Sequence, residues 1–139
     1  MKSNVHITVS ERNGRSYASS GSSWEPVIGY SRAVRTGDVI TVTGTVGVEA
    51  DGQFAPTLKA QAERALTIIV AAIEALGGKV TDVVRTRIYV TNIENWQEVG
   101  EVHGKVFGEV RPATTMVEVP RLIDASALVE IEADAIVQS

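Results

Sequence analysis

The chain has 139 residues, 44% of them hydrophobic, 13 Lys and Arg against 17 Asp and Glu for a formal charge of −4, and no cysteine. That length suits one domain with one real core, so residues 1–139 are expected to form a single unit, with 1–29 as a loop-rich extension. The missing cysteine excludes disulfides, thiolate nucleophiles and sulfur-ligated metal, and an acidic chain with no basic run lacks the electrostatic footprint of a nucleic-acid binder.

His6 and His103 are the two histidines and lie far apart in sequence, so no metal site is expected. No apolar run approaches the ~18 residues of a membrane span, and Met1–His6 has no apolar signal core. A soluble, cytoplasmic protein is the expectation.

Val5, Ile7 and Val9 alternate as in a short edge strand, but the Ser- and Gly-rich stretch Ser16–Tyr30 reads as loop. Trp24 and Tyr30 within it are either anchors that pin the loop or ligand contacts. Ser31–Arg35 and Asp38–Val46 then form a hairpin around Thr36-Gly37-Asp38. In its second strand Thr41, Thr43 and Thr45 share one face, with Ile40, Val42 and Val46 on the other. Gly44 marks a bulge or a close approach of backbone or ligand.

Pro56–Leu76 follows the spacing of a helix, with Pro56 suited to its first turn and Gly77-Gly78 ending it. This helix is assigned no chemistry. Val83–Thr91 is a strand that places Val84, Thr86, Ile88 and Val90 opposite Arg85, Arg87 and Tyr89. Arg85 and Arg87 are either a solvated pair or a grip for a carboxylate or phosphate. Trp96–Glu109 is a second amphipathic helix that carries Val99, Val102, His103, Val106 and Phe107 along one side.

Arg111–Val137 reads as two strands joined by a polar loop. In the last strand Glu130, Glu132 and Asp134 share one face and Val129, Ile131, Ala133, Ala135 and Val137 the other. Like charges ~6.6 Å apart on a buried sheet are costly. Spacing leaves two readings open: a solvated face, or Glu130 at a pocket rim as a general acid/base or water-orienting group. The order β-β-α-β-α-β-β gives an α+β domain with both helices on one face of a mixed sheet. The other face, expected to carry apolar residues, would be buried against sister subunits.

From Tyr30 to Val137 the chain resembles the RidA/YjgF family, also called L-PSP endoribonuclease-like. The matching pieces are GYSRAV, VITVTGTV, AIEALGG, TDVVRTRIYVTNIENWQEV, RPATTMVEVPRL and VEIEADAIV. The resemblance implies a chorismate-mutase-like fold, a homotrimer with a central β-barrel and small-molecule pockets between subunits. It also implies cofactor-free, metal-free hydrolysis of enamines or imines such as 2-aminoacrylate. Carried over by position, the pocket residues are Tyr30, Thr43, Gly44 and Glu130, with Arg87 and His103 as further candidates for substrate contact. Thr114 stands where the deaminase branch has an arginine that pairs with the substrate carboxylate, leaving Arg87, Arg111 or Arg121 to meet one. Gly100 replaces a family asparagine, and the Pro120–Ala127 loop is about one residue longer. The readings are therefore a deaminase-like hydrolase, then a non-catalytic ligand-binding or chaperone-like trimer, then an endoribonuclease.

Overall fold

Apolar alternation in the sequence becomes one seven-stranded sheet with two long helices on one face. The computed structural model describes residues 4–138. Its strands are β1 (Thr8–Arg12), β2 (Arg15–Ser19), β3 (Ala33–Thr36), β4 (Val39–Val46), β5 (Val83–Val90), β6 (Ala113–Glu118) and β7 (Val129–Ile136), with helices α1 (Leu58–Ala75) and α2 (Trp96–Phe107). The strand order is β1-β2-β3-β4-β7-β5-β6. Only β5 and β6 run parallel, because α2 carries the chain back over the sheet between them.

Three expectations change here. The N-terminal stretch is a β1–β2 hairpin that adds to the sheet edge at β3, not a loop. Asn13 and Gly14 turn it with φ of 51° and 77°, the pair favoured by a type I′ turn. The strand read at Val5–Val9 begins at Thr8. The C-terminal strands are not partners either, since β5 lies between β6 and β7 and pairs with both.

Helix α1 is capped by Thr57, whose hydroxyl accepts from the Ala60 N–H at 3.1 Å, so Pro56 precedes the helix rather than opening it. Gly78 N–H donates to Ile73 O and Gly77 N–H to Glu74 O, with Gly77 at φ 90°, a Schellman ending. The core lies between helices and sheet, with Ile69 and Ile73 of α1 and Phe107 of α2 buried above Ile40, Ile88 and Ile131. Gln61 ties α1 to two loops. Its Nε2 donates to Ala55 O and Ser126 O, and its Oε1 accepts from Leu128 N–H.

Two bulges reset the alternation. Register shifts between Val42 and Thr45 on β4, so Thr45, read as facing outward, is buried at 1% exposure. A second shift between Val83 and Arg85 leaves Val84 exposed, whereas Thr86, Ile88 and Val90 face the core as expected. An extra residue flips every side chain after it. The sheet face without helices carries Thr41, Arg87, Tyr89, Glu130, Glu132 and Asp134, and the apolar surface expected there is limited to exposed side chains such as Val39, Val117 and Ile136, because β7 alternates strictly with its apolar side on the helices.

Candidate functional site

A cavity of about 710 Å³ opens beside the β4 bulge, within the range of small-molecule sites. Tyr30, Thr43, Gly44 and Glu130 all line it, together with Trp24. A Cβ on Gly44 would stand 2.0 Å from Glu130 Oε2, so the carboxylate occupies the space that the glycine leaves. The bulge anticipated at Gly44 is present, and what comes close to it is a side chain rather than the backbone or ligand expected.

The Ser-rich segment builds one wall. A π-helical turn at Glu25–Gly29 ends with Tyr30 N–H donating to Glu25 O at 3.0 Å. Glu25 Oε2 accepts from Ser20 N–H, Ser20 Oγ and Ser22 N–H, and its carboxylate lies 3.8 Å from the Arg32 guanidinium. Both side chains are 7% exposed. Arg32 also donates to Ser20 Oγ, Gly44 O, Thr45 Oγ1 and, at 3.5 Å, to the Tyr30 hydroxyl. A buried ion pair stands only when its remaining hydrogen-bonding groups are satisfied. This one is, and it fixes Tyr30 and the bulge together.

The three carboxylates of β7 separate by environment. Arg87 Nη1 contacts Glu132 Oε1 at 3.1 Å and Asp134 Oδ2 at 3.5 Å. Glu130 forms no ion pair or hydrogen bond among the described residues. Burial and then the Glu132 charge hold its carboxyl above the usual carboxylate range, with Arg32 opposing. A carboxyl group so placed can give and take a proton nearer neutrality than a solvated one.

Arg87, His103 and Thr114 lie elsewhere. Arg87 is engaged by its acids and does not line the cavity. Thr114 faces the helix side of β6, where its hydroxyl is 2.8 Å from Thr86 Oγ1 and donates to Pro112 O. Thr86 Oγ1 in turn meets His103 Nε2 at 2.9 Å. His103 stacks 4.7 Å from Phe107, and burial lowers its proton affinity, which fits a hydrogen-bonded core histidine. Arg111 and Arg121 are exposed and outside the cavity.

The cavity's own guanidiniums, Arg32 and Arg64, were not singled out from the sequence. Arg32 lies inside GYSRAV, and its burial follows from Glu25 and the β4 bulge, long-range partners that no periodicity shows. Arg64 belongs to a helix read as purely structural.

A family model described as endoribonuclease L-PSP matches residues 21–137. A solved Mycobacterium tuberculosis protein of the YjgF/YER057c/UK114 family is 51% identical with a TM-score of 0.83, over 88% of this chain and 99% of that one. The Salmonella typhimurium 2-iminobutanoate/2-iminopropanoate deaminase is 32% identical over 111 residues, 77% of this chain and 86% of its own length. The structure of Escherichia coli TdcF with bound serine is 26% identical with a TM-score of 0.74, over 78% of this chain and 88% of that one. Both the family match and the shared α+β sheet lead to one assignment: the chain belongs to the endoribonuclease L-PSP family, that of the RidA/YjgF proteins.

Proposed function

We propose that this protein is a deaminase-like small-molecule hydrolase that converts an enamine or imine to a carbonyl product and ammonia, with Glu130 moving the proton. The observation that carries this is the unpaired, half-buried Glu130 carboxyl seated against Gly44 in the cavity. The deaminase name of the Salmonella relative supports the reaction class. An enamine first takes a proton at its β-carbon and gives one up from nitrogen, becoming the imine. Water then adds to the carbon of C=N while Glu130 accepts the water proton and passes it to nitrogen. In the resulting carbinolamine Glu130 moves the hydroxyl proton to nitrogen as the C–N bond breaks, so ammonia leaves and C=O forms. The Tyr30 hydroxyl accepts from Arg32 at 3.5 Å, which leaves its own proton available to a ligand, and Thr43 offers a second hydroxyl. The scheme calls on no cofactor or metal.

The assembly in this proposal is a homotrimer with pockets between subunits, as the family resemblance implies. A neighbour there would exclude bulk water from the cavity. Thr114 brings no charge to a substrate carboxylate, so the substrate differs from 2-aminoacrylate in where its anion is met. The same observation supports a second reading, a trimeric binding module that holds a ligand without turnover.

The two readings part on Glu130→Gln, which keeps the shape and removes the charge. Imines generated in situ by an amino-acid oxidase are the test substrates, with ammonia release as the readout and light scattering as the check on assembly. The trimer should persist while turnover falls by on the order of 10²-fold, the scale of positioned acid–base catalysis. Full turnover in the variant, or a monomer by scattering, contradicts the proposal.

A further inference from the structure

The stretch matched by the family model begins at residue 21, yet Asn4, Val5 and His6 line the same cavity as Glu130. The β1–β2 hairpin ties this segment to the body, since β2 is laid on β3 and Ala18 is fully buried. At the cavity wall Asn4 Oδ1 accepts a hydrogen bond from Arg64 Nη1. Arg64 is 8% exposed. Its Nε donates to Val48 O at 2.8 Å, with the Glu49 carboxylate, itself 43% exposed, 3.6 Å from the same nitrogen. The second terminal nitrogen makes no hydrogen bond among the described residues.

This guanidinium is short of negative charge on its cavity side. Its close acceptors there and at Val48 are a neutral amide and a neutral carbonyl, and a charge-assisted bond is roughly twice as strong as a neutral one. Glu49 is too exposed to supply the deficit, because solvated pairs contribute little. No other arginine competes for the role. Arg32 is committed through all three nitrogens to Ser20, Gly44, Thr45, Tyr30 and Glu25, and Arg87 to Glu132 and Asp134.

We infer that Arg64 is the anion-binding group of this cavity, with Asn4 holding its place when no ligand is bound, and that the ligand carries a carboxylate on an apolar body, apart from the end that meets Glu130. Val48, which Arg64 holds, lies four residues beyond Gly44, up to ~13 Å of extended chain at ~3.3 Å per residue. Trp24, Val46, Phe54, Ile68 and Ile123 line the cavity and give an aliphatic or aromatic body apolar cover. The end at Glu130 rests on the proposed reaction; the anion subsite does not.

Calorimetric titration of the full chain with hexanoate and with hexanamide, equal in length and different in charge, tests the subsite. The intact protein should prefer hexanoate by tenfold or more, Arg64→Gln should lose the preference, and Glu130→Gln should keep it. Asn4→Asp places a competing carboxylate on Arg64 and should weaken hexanoate severalfold with hexanamide unchanged. That variant decides alone if Arg64→Gln does not fold. Equal affinities in the intact protein, a preference that survives Arg64→Gln, or an Asn4→Asp variant that binds hexanoate unchanged would each overturn the inference. Absent imine turnover with the hexanoate preference intact would count against the proposed reaction and leave the Arg64 subsite supported.

Discussion

The centre of the sheet and its β5–β6 end handle polar side chains in opposite ways. At the central β4–β7 pair, Glu130 stands half-buried beside Gly44 with no partner among the described residues, in a cavity walled by a satisfied Arg32–Glu25 pair. At the β5–β6 end, Thr86, Thr114 and His103 close on one another through hydrogen bonds of 2.8 and 2.9 Å. The first arrangement leaves a group short of a partner and ready for a ligand. The second satisfies its donors and acceptors within the fold. Residue type alone does not separate them, since both contain residues that the family resemblance places near a pocket.

Gly44→Ala sharpens this comparison most. Its Cβ would meet the tip of the Glu130 side chain at 2.0 Å, and a flexible carboxylate swings away at small cost to the fold. Turnover should then fall by on the order of 10²-fold, as for loss of the proton carrier itself, with the thermal midpoint nearly unchanged. A variant that keeps its activity would detach Glu130 from the chemistry.

Thr86→Val probes the β5–β6 end. The substitution keeps the shape but leaves His103 Nε2 and the Thr114 hydroxyl without their shared partner, which costs about 1–3 kcal/mol in chemical denaturation. Turnover per folded molecule should not change. If it fell as far as in Gly44→Ala, the division between a working centre and a structural end would fail.

The smallest effect concerns stability and pH. Burial and Glu132 raise the folded-state proton affinity of Glu130, so its contribution to stability is fully present below the ordinary carboxylate range and is lost as pH rises through its folded-state value. Glu130→Gln should therefore melt higher than the parent at pH 7–8, with the gap closing as the pH falls into the acid range. A parent more stable than the variant at pH 8 would mean that the carboxylate is held by a favourable partner.

Much of this architecture was legible in the chain. Helix α1 announced itself by its apolar stripe and its Gly-Gly ending, and the acids of β7 by strict alternation. Gly44 was readable as a place where something comes close. The β1–β2 hairpin was missed although Asn13-Gly14 marks it, because the strands around that turn are polar and show no hydrophobic period. Thr45 and Val84 were put on the wrong faces because a bulge shifts the count by one residue and leaves no trace in composition. Arg64 was overlooked for a related reason. A helical stripe tells which side is buried, not that its end carries a cation into a cavity shared with Asn4.

The most direct measurement is a carboxyl-carbon NMR titration of the protein labelled in its glutamates, with Glu130 assigned through Glu130→Gln. Glu130 should give up its proton above the usual carboxylate range, and Gly44→Ala should move it back toward that range as the side chain swings into solvent. A Glu130 that titrates within or below the usual carboxylate range would contradict the assignment of this carboxyl group as the proton carrier of the site.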